Sequence, residues 1–285
     1  MEHNYDTIIL PGGGMKGFAI LGGIQACLDR CLLSHLKTYI GTSIGSVICY
    51  CLAIGYTPIE IMTYLHLNKY IEKMKHFNIV DMVNGSGATS FNPVSECLEK
   101  MSIEKIGKLL TLGKLKEEYG KTLICVSYNM TVSCVEYIGP DNYPDLPCIT
   151  ALRMSSNIPL VFERFKYMDN YYVDGGIIDN FPVEYGNKIC INSAIAFDLK
   201  LDCKNLKDEP SEGILSYILK LFQIMMKENN NKIKIIQLEK TKIIPIICKD
   251  MFSVFDFSLN IKSRLDLFSN GYNDTRVHID EEKHT

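Results

Sequence analysis

The chain has 285 residues and a formal net charge of −3, from 30 Lys and Arg against 33 Asp and Glu. Without a basic surplus, sequence-independent binding to nucleic acid is not expected. Hydrophobic residues make up 47% of the chain and charged residues 22%, which excludes a low-hydropathy disordered chain and a repeat-biased fibre. The length predicts one large domain, or one domain with a small appendage, with a substantial core.

The cysteines and the N-terminus indicate a reducing compartment. Eleven cysteines are an odd number, and most lie in apolar runs such as residues 47–52, which predicts reduced, buried thiols. The N-terminus has no positively charged region and only a short apolar run at residues 8–10, so no export signal is expected. The longest nearly uncharged apolar stretch, residues 44–56, is too short for a membrane helix. We therefore expect a cytoplasmic protein, with at most peripheral contact at membranes.

The first half of the chain alternates strands with helices. Thr7–Leu10 predicts a strand that leads through a glycine turn into an apolar helix over residues 18–33. Residues 38–40 predict a second strand, followed by a turn at 41–45 and a helix over 46–55. Beyond these, we expect helices over 58–82 and 94–110, a loop over 84–93, and strands over 122–128 and 132–138.

The second half continues the alternation. A loop over 139–147 leads into a short helix at 149–155 and a β-rich region to residue 173, then a glycine turn over 174–182 and a strand over 188–199. A charged linker over 200–212 precedes an apolar helix over 213–226, a strand near 243–248 and a closing helix near 258–270. Strands that alternate with helices predict an α/β fold with a mainly parallel sheet.

A G-x-S-x-G motif, Gly41-Thr42-Ser43-Ile44-Gly45, lies between the second strand and its helix. Flanking glycines allow a sharp turn that projects the serine hydroxyl and lets backbone approach it. The motif alone recurs by chance, and an ordinary turn is the competing interpretation. The preceding strand and the following apolar helix favour a nucleophile, because a helix N-terminus also stabilises developing negative charge there.

A glycine-rich loop, Gly12-Gly13-Gly14-Met15-Lys16-Gly17, lies between the first strand and its helix. Free backbone N–H groups in such a loop suit an oxyanion hole. A dinucleotide site expects an acidic residue about 20 positions further on, and residues 32–39 contain none. A phosphate-binding P-loop is excluded because no Ser or Thr follows Lys16. A purely structural turn is as good an interpretation of this motif alone.

Asp174 is the best candidate for the base that a serine nucleophile needs. It ends an apolar strand and precedes Gly175 and Gly176 in a turn, although an Asx turn would explain an isolated Asp-Gly equally well. The six histidines lie near the termini or in polar and helical contexts without a glycine turn to present them. The chemistry therefore indicates a Ser/Asp pair.

In this order, the three motifs resemble the patatin-like phospholipase family, whose pattern is a glycine-rich oxyanion loop, then G-x-S-x-G, then D-G-G or D-G-A. Further similarities are a serine-containing helix end at residues 155–162, Asn180 and Pro182 after the D-G-G, and a closing helix over 256–272. Lys16 stands where many relatives have Arg, and Met154 replaces a small residue. The resemblance covers residues 5–275, and the ordered combination is far more specific than any single motif.

The resemblance implies a three-layer α/β/α fold with a mainly parallel central sheet. It implies one domain over residues 5–275, with residues 201–275 as a C-terminal subregion and residues 276–285 as a flexible tail. The implied activity is a lipid acyl hydrolase of the phospholipase A or lysophospholipase type.

The same resemblance assigns the roles of the site residues. Ser43 and Asp174 form a catalytic dyad that works through an acyl-enzyme, without cofactor or metal. The oxyanion loop comprises Gly12, Gly13, Gly14, Lys16 and Gly17, and the supporting motif glycines are Gly41, Gly45, Gly175 and Gly176. The implied partners are a phospholipid or another acyl lipid and a lipid surface, with room for a protein activator.

Two alternatives remain open at the level of sequence. One is a Ser-Asp-His α/β-hydrolase esterase that uses Ser43, Asp174 and His278 in that order. Only about two strands fit before Ser43, whereas that fold places several there. The other is a non-catalytic module that binds a nucleotide through residues 12–17.

Overall fold

The computed structural model describes residues 5–68, 78, 82, 84, 87–201, 217, 221, 224, 225, 238–248 and 259–281. All ten cysteines within these ranges are free thiols, and all of them except Cys31 and Cys134 are buried. This confirms the expectation of mostly buried cysteines for the part of the chain described.

The described strands form one mostly parallel sheet. They are β1 (Thr7–Leu10), β2 (Thr38–Thr42), β3 (Thr122–Asn129), β4 (Cys134–Ile138), β5 (Phe165–Tyr167), β6 (Asn170–Asp174), β7 (Ala194–Leu201) and β8 (Thr241–Cys248). Their order is β5-β6-β3-β2-β1-β7-β8, and β4 also pairs with β3. Every pair among β3, β2, β1, β7 and β8 is parallel, whereas β4, β5 and β6 pair antiparallel. Pro245 is tolerated in β8 because that strand lies at the sheet edge.

Helices cover both faces of this sheet. Their bounds are α1 (Gly17–Leu28), α2 (Ile44–Ala53), α3 (Pro58–Leu67), α4 (Asn92–Ile106), α5 (Leu112–Tyr119), α6 (Cys148–Ser155), α7 (Val183–Ile189) and α8 (Ile261–Glu281). Their ends carry ordinary signals: Thr57 and Glu60 form a capping box at α3, and left-handed Gly107 and Gly120 end α4 and α5.

Alternating side chains of the central strands divide the core into two layers. Ile8 and Leu10 of β1 belong to the large cluster that includes side chains of α1, α2 and α4. Ile9 of β1 belongs to the smaller cluster on the opposite face, with Val183 of α7. The period of two along a strand explains this division. The structure therefore confirms the predicted three-layer α/β/α fold.

The C-terminal helix differs from its prediction. We predicted a helix near 258–270 and a flexible tail from 276, but α8 continues to Glu281. It packs against α1 at Gly22 and Gly271, where a Cβ atom would collide with the facing backbone. Near its end, Arg30 forms an ion pair with Asp280 at 2.8 Å, so these tertiary contacts stabilise a helix that its polar sequence alone did not indicate.

Other differences are smaller. Residues 188 and 189, predicted as strand, close α7, and β7 begins at Ala194. Residues 200 and 201 of the predicted linker belong to β7. The rest of that linker and most of the predicted helix over 213–226 lie outside the described residues. Within the described part of the chain no single helix is long and apolar enough to cross a membrane, and the bent pair α2 and α3 reaches those criteria only when taken together.

Candidate active site

The register of three strands brings Ser43 and Asp174 together. Thr42 of β2 pairs with Val126 of β3, and the next residue of β3, Ser127, pairs with Asp174 of β6. Ser43 directly follows Thr42, so it lies beside Asp174 across β3. The glycine-rich loop meets the same edge, because it follows Leu10, which pairs with Gly41.

The turn that carries Ser43 is strained and tightly packed. Ser43 has φ 54° and ψ −125° at the N-terminus of α2, a conformation that a non-glycine residue adopts only when the surrounding structure imposes it. Gly41 and Gly45 make the turn possible. A Cβ at Gly41 would collide with the backbone of Gly45, and one at Gly45 would collide with the carbonyls of Leu10 and Pro11 at the end of β1.

Two neighbouring serines hold the Ser43 backbone. The Ser43 N–H donates to Ser155 Oγ at 3.0 Å, and Ser155 Oγ donates in turn to the Val126 carbonyl at 2.6 Å. Ser46 Oγ donates to the Ser43 carbonyl at 2.6 Å. These bonds hold the strained backbone in place while leaving the Ser43 side chain for other contacts.

Asp174 is a buried carboxyl group beside that side chain. Burial raises its pKa to about 6, while interactions with the Ser43 side chain and the Gly176 N–H act in the opposite direction. The Gly176 N–H donates to Oδ1 at 2.7 Å. Oδ2 has no hydrogen-bond partner of normal geometry among the described residues, so it is available to accept a proton. The backbone of Asp174 is fixed by a bond from its N–H to the Asn157 carbonyl at 2.9 Å.

The glycine-rich loop divides into parts with different surroundings. Gly12 packs against Ser43 Cβ, and its N–H donates to the Asn180 carbonyl at 3.0 Å. The N–H groups of Gly13 and Gly14 donate to no acceptor in the described residues. Lys16 is buried near Cys248 of β8, and burial lowers its pKa.

An apolar slot of about 160 Å³ opens beside Ser43. Gly14 and Gly17 of the glycine loop form part of its wall, and the rest is largely aliphatic, aromatic and sulfur-containing side chains of α1, α2, α3 and α4. Along α2 it extends from Ser43 to Cys51, about 12 Å along the helix axis. Such a lining suits a single hydrocarbon chain and offers almost nothing to a polar ligand.

One wall of the slot is fixed by Arg153, a role that the sequence did not predict. The guanidinium lies 4.5 Å from the centre of the Phe91 ring, and Nη1 donates to Asn157 Oδ1 at 2.7 Å. It also forms an ion pair with Glu163 at 3.2 Å. Arg153 thereby ties α6 to the segment that carries Phe162, a slot residue. An arginine in an apolar helix was the only sequence signal for this role.

No histidine contributes to this arrangement within the described residues. The side-chain contacts of Asp174 are with Ser43 and Gly176, and the slot lining contains no imidazole. His278, the proposed third member of a Ser-Asp-His triad, lies on α8. The structure thus brings Ser43, Asp174 and the glycine loop together and places His278 elsewhere in the fold.

Comparison with known proteins identifies the family. A model of the family described as patatin-like phospholipase matches residues 8–186, which contain both Ser43 and Asp174. The chain belongs to the patatin-like phospholipase family.

Two viral proteins are similar to this chain in sequence. The "Probable lipid hydrolase 463L" of Invertebrate iridescent virus 6 is 33% identical over 190 residues, which cover 65% of this chain and 64% of that protein. The uncharacterized protein R571 of Acanthamoeba polyphaga mimivirus is 25% identical over 288 residues, which cover 98% of this chain and 95% of the relative. The chain thus matches slightly less than two thirds of the first relative and almost all of the second.

Solved structures share the fold at much lower identity. VipD from Legionella pneumophila superposes with a TM-score of 0.56 at 16% identity, covering 98% of this chain and 67% of VipD. ExoU of Pseudomonas aeruginosa, in its heterodimeric complex with SpcU, gives a TM-score of 0.55 at 14% identity, covering 99% of this chain and 52% of that structure's chain. The mostly parallel sheet flanked by helices is therefore common to all three.

Proposed function

We propose that this protein is a lipid acyl hydrolase of the carboxylic ester hydrolase class. The observation that carries the proposal is the juxtaposition of a strained serine, a buried carboxylate and an apolar slot that begins at the serine. Family membership and the lipid hydrolase name of the iridescent virus relative support the same activity.

In the proposed first step, Ser43 Oγ attacks the carbonyl carbon of an acyl ester and Asp174 takes its proton. A carboxyl group with a pKa of about 6 is ionised at neutral pH yet more basic than an exposed aspartate. Asp174 then passes the proton to the departing alcohol as the ester C–O bond breaks, which leaves Ser43 acylated. In the second step Asp174 activates water, and the fatty acid is released.

The negative charge on the carbonyl oxygen would be stabilised by backbone N–H groups of the glycine loop. Gly13 and Gly14 are the proposed donors, because Gly12 donates instead to Asn180 and the Ser43 N–H donates to Ser155. Each such donor contributes on the order of 3 kcal/mol in other enzymes. Lys16 has no proposed contact with substrate, since it is buried near Cys248.

The slot would receive the acyl chain, while the alcohol part of the ester points out of it. A phospholipid, a lysophospholipid or a neutral glyceride satisfies this requirement equally. We propose a cytoplasmic protein that contacts lipid surfaces peripherally, without metal or cofactor. A protein activator is also part of the proposal.

The direct test is fatty-acid release from diacyl phospholipids, lysophospholipids and triacylglycerols, with EDTA present throughout. Wild type is compared with Ser43→Ala and Asp174→Asn, each checked for fold by circular dichroism. We expect release by wild type and background rates for both variants. Hydrolysis by folded Ser43→Ala at the wild-type rate would refute the nucleophile assignment.

A further inference from the structure

Two hairpin turns project from the sheet edge that carries the dyad. One joins β3 to β4 and the other joins β5 to β6. They lie side by side, because the Met130 N–H donates to the Tyr171 carbonyl at 2.8 Å and the Tyr171 N–H donates to Thr131 Oγ1 at 3.0 Å. Asp174 follows Tyr171 by three residues in β6, a distance of about 10 Å along the strand. Both turns therefore extend beyond the dyad on its own side of the sheet.

Large apolar side chains on these turns are exposed. Met168, in the turn before β6, is 76% exposed, and Met130, Val132 and Tyr171 are exposed as well. Leu160 is also exposed and lines one cavity together with Met130 and Tyr171. We call these five side chains the apolar patch. Contiguous exposed apolar side chains are typical of a surface that contacts another molecule or a membrane.

Two members of the apolar patch have a left-handed backbone. Met168 has φ 51° and Leu160 has φ 69°. Gly, Asn and Asp favour such positions, whereas a large apolar residue destabilises a turn there. Met168 is also too exposed to stabilise the core. A large apolar residue that suits neither its turn nor the core is expected to contact something outside the fold.

A second cavity shares residues with both the apolar patch and the slot. Its volume is about 490 Å³, and its wall includes Met130, Leu160 and Tyr171 of the patch. Phe162 lines both this cavity and the slot beside Ser43. Apolar side chains therefore continue from the patch to the slot that is proposed to receive the acyl chain.

Cationic side chains accompany the apolar patch. Arg164 is exposed and lines the second cavity. Lys166 Nζ lies 5.8 Å from the centre of the Tyr171 ring and forms an ion pair with Asp169 at 3.3 Å. These two cations and one carboxylate leave a positive surplus. Cationic and aromatic groups beside exposed apolar side chains complement the phosphate layer at a membrane surface, where the charged ends meet phosphate and the apolar parts meet hydrocarbon.

We propose that the apolar patch docks the protein on the surface of a phospholipid layer. Met168 and Val132 enter the acyl region, while Arg164 and Lys166 lie at the phosphate groups. This inference rests on the proposed function, because the layer supplies the ester that Ser43 attacks. Docking by this edge turns the dyad side of the sheet toward the lipid.

Flotation with vesicles of equal parts phosphatidylcholine and phosphatidylglycerol measures the docking. All proteins carry Ser43→Ala, so that no lipid is hydrolysed during the measurement. Met168→Asn is the main variant, because asparagine suits a left-handed position and should leave the melting temperature unchanged or higher. We expect about tenfold weaker vesicle binding, since one large apolar side chain no longer enters the lipid. Adding Val132→Thr should weaken binding further.

Ile191→Asn is the matched control. Ile191 is 78% exposed, as much as Met168. It precedes β7 at the opposite edge of the sheet, where Ala194 pairs with Thr7 at the start of β1. Its replacement should leave vesicle binding unchanged. Unchanged binding of Met168→Asn, or an equal loss in Ile191→Asn, would overturn the proposal.

Two other outcomes would also overturn it. Leu221 is exposed and outside the patch, so a loss of binding in Leu221→Gln but not in Met168→Asn would place the lipid contact elsewhere. A dimer seen by light scattering that Met168→Asn converts to monomer would assign the patch to a second copy of the chain.

A soluble ester separates this proposal from the proposed function. With Ser43 restored, hydrolysis of monomeric p-nitrophenyl butyrate requires the dyad but no lipid surface. Met168→Asn should keep wild-type kcat/KM on this ester while its rate on vesicles falls about tenfold, in line with the weaker binding. A wild type that binds vesicles but hydrolyses neither substrate would refute the hydrolase assignment alone. An equal loss on both substrates would contradict a role in docking.

Discussion

Replacing Asp174 by Asn is expected to stabilise the fold while it abolishes hydrolysis. The carboxyl group is buried, and burial raises its pKa from the ordinary value of 3.8 to about 6. Asparagine keeps an oxygen that can accept the Gly176 N–H bond, carries no charge at any pH and has nearly the same volume. The substitution therefore removes the unfavourable burial of a charge with little change in packing.

The size of the effect follows from the pKa. A rise from 3.8 to about 6 corresponds to roughly 3 kcal/mol at neutral pH. Because folding raises the pKa of Asp174, the stability that the protonated carboxyl group contributes is fully present below pH 3.8. This stability is lost as pH rises through about 6. The advantage of Asp174→Asn should thus be near zero at pH 4 and approach 3 kcal/mol above pH 7.

Urea unfolding at pH 4.5, 6 and 7.5 measures this difference. Asp169→Asn is a suitable control, since its side chain is fully exposed and its replacement should leave the pH dependence of unfolding unchanged. An advantage of Asp174→Asn that is independent of pH, or a variant less stable than wild type at pH 7.5, would refute the reasoning. Activity of wild type should fall as pH drops through about 6, because protonated Asp174 cannot accept the serine proton.

Four further predictions follow from the same geometry. Ser155→Ala leaves the Ser43 N–H without its acceptor, so we expect about tenfold lower kcat; an unchanged kcat in steady-state assays would contradict this. Gly41→Ala forces a Cβ into the Gly45 backbone and should lower the unfolding free energy by more than about 2 kcal/mol, as urea titration would show. Cys51 lines the slot, so the larger side chain of Cys51→Leu should shift the preferred substrate in a p-nitrophenyl ester series to shorter acyl chains. An unchanged dependence on acyl length would show that the acyl chain binds elsewhere. His278→Gln should retain wild-type kcat/KM, and a large drop in kcat/KM of this variant would favour a Ser-Asp-His triad.

Local signals in the sequence were sufficient for much of the fold. Glycine turns after short β-branched runs predicted the strand-turn-helix units around Gly12–Gly14 and Ser43, and the structure has strands and helices there. Alternation of strands and helices predicted a mainly parallel sheet. Residues 276–281 were missed because their helix depends on packing against α1 and on the Arg30–Asp280 pair, which connects residues 250 positions apart.

The candidate site was predictable only in part. Ser43 and Asp174 stand in recognisable glycine contexts, but their proximity depends on a strand register that local patterns do not contain. In the sequence, Ser155 appears only as part of a serine-containing helix end and Arg153 only as an arginine in an apolar helix, and neither signal predicts which atoms the side chain contacts. Their contributions arise from which atoms they meet across the sheet and the slot.

The most direct test of the central claim is to identify the residue that becomes covalently modified. The protein is incubated with a long-chain fluorophosphonate, and the adduct is mapped by mass spectrometry of the intact chain and its peptides. The account predicts one adduct per chain, on Ser43, absent from Ser43→Ala and slowed in Asp174→Asn. A stoichiometric adduct on another residue, or full labelling of Ser43→Ala, would contradict it.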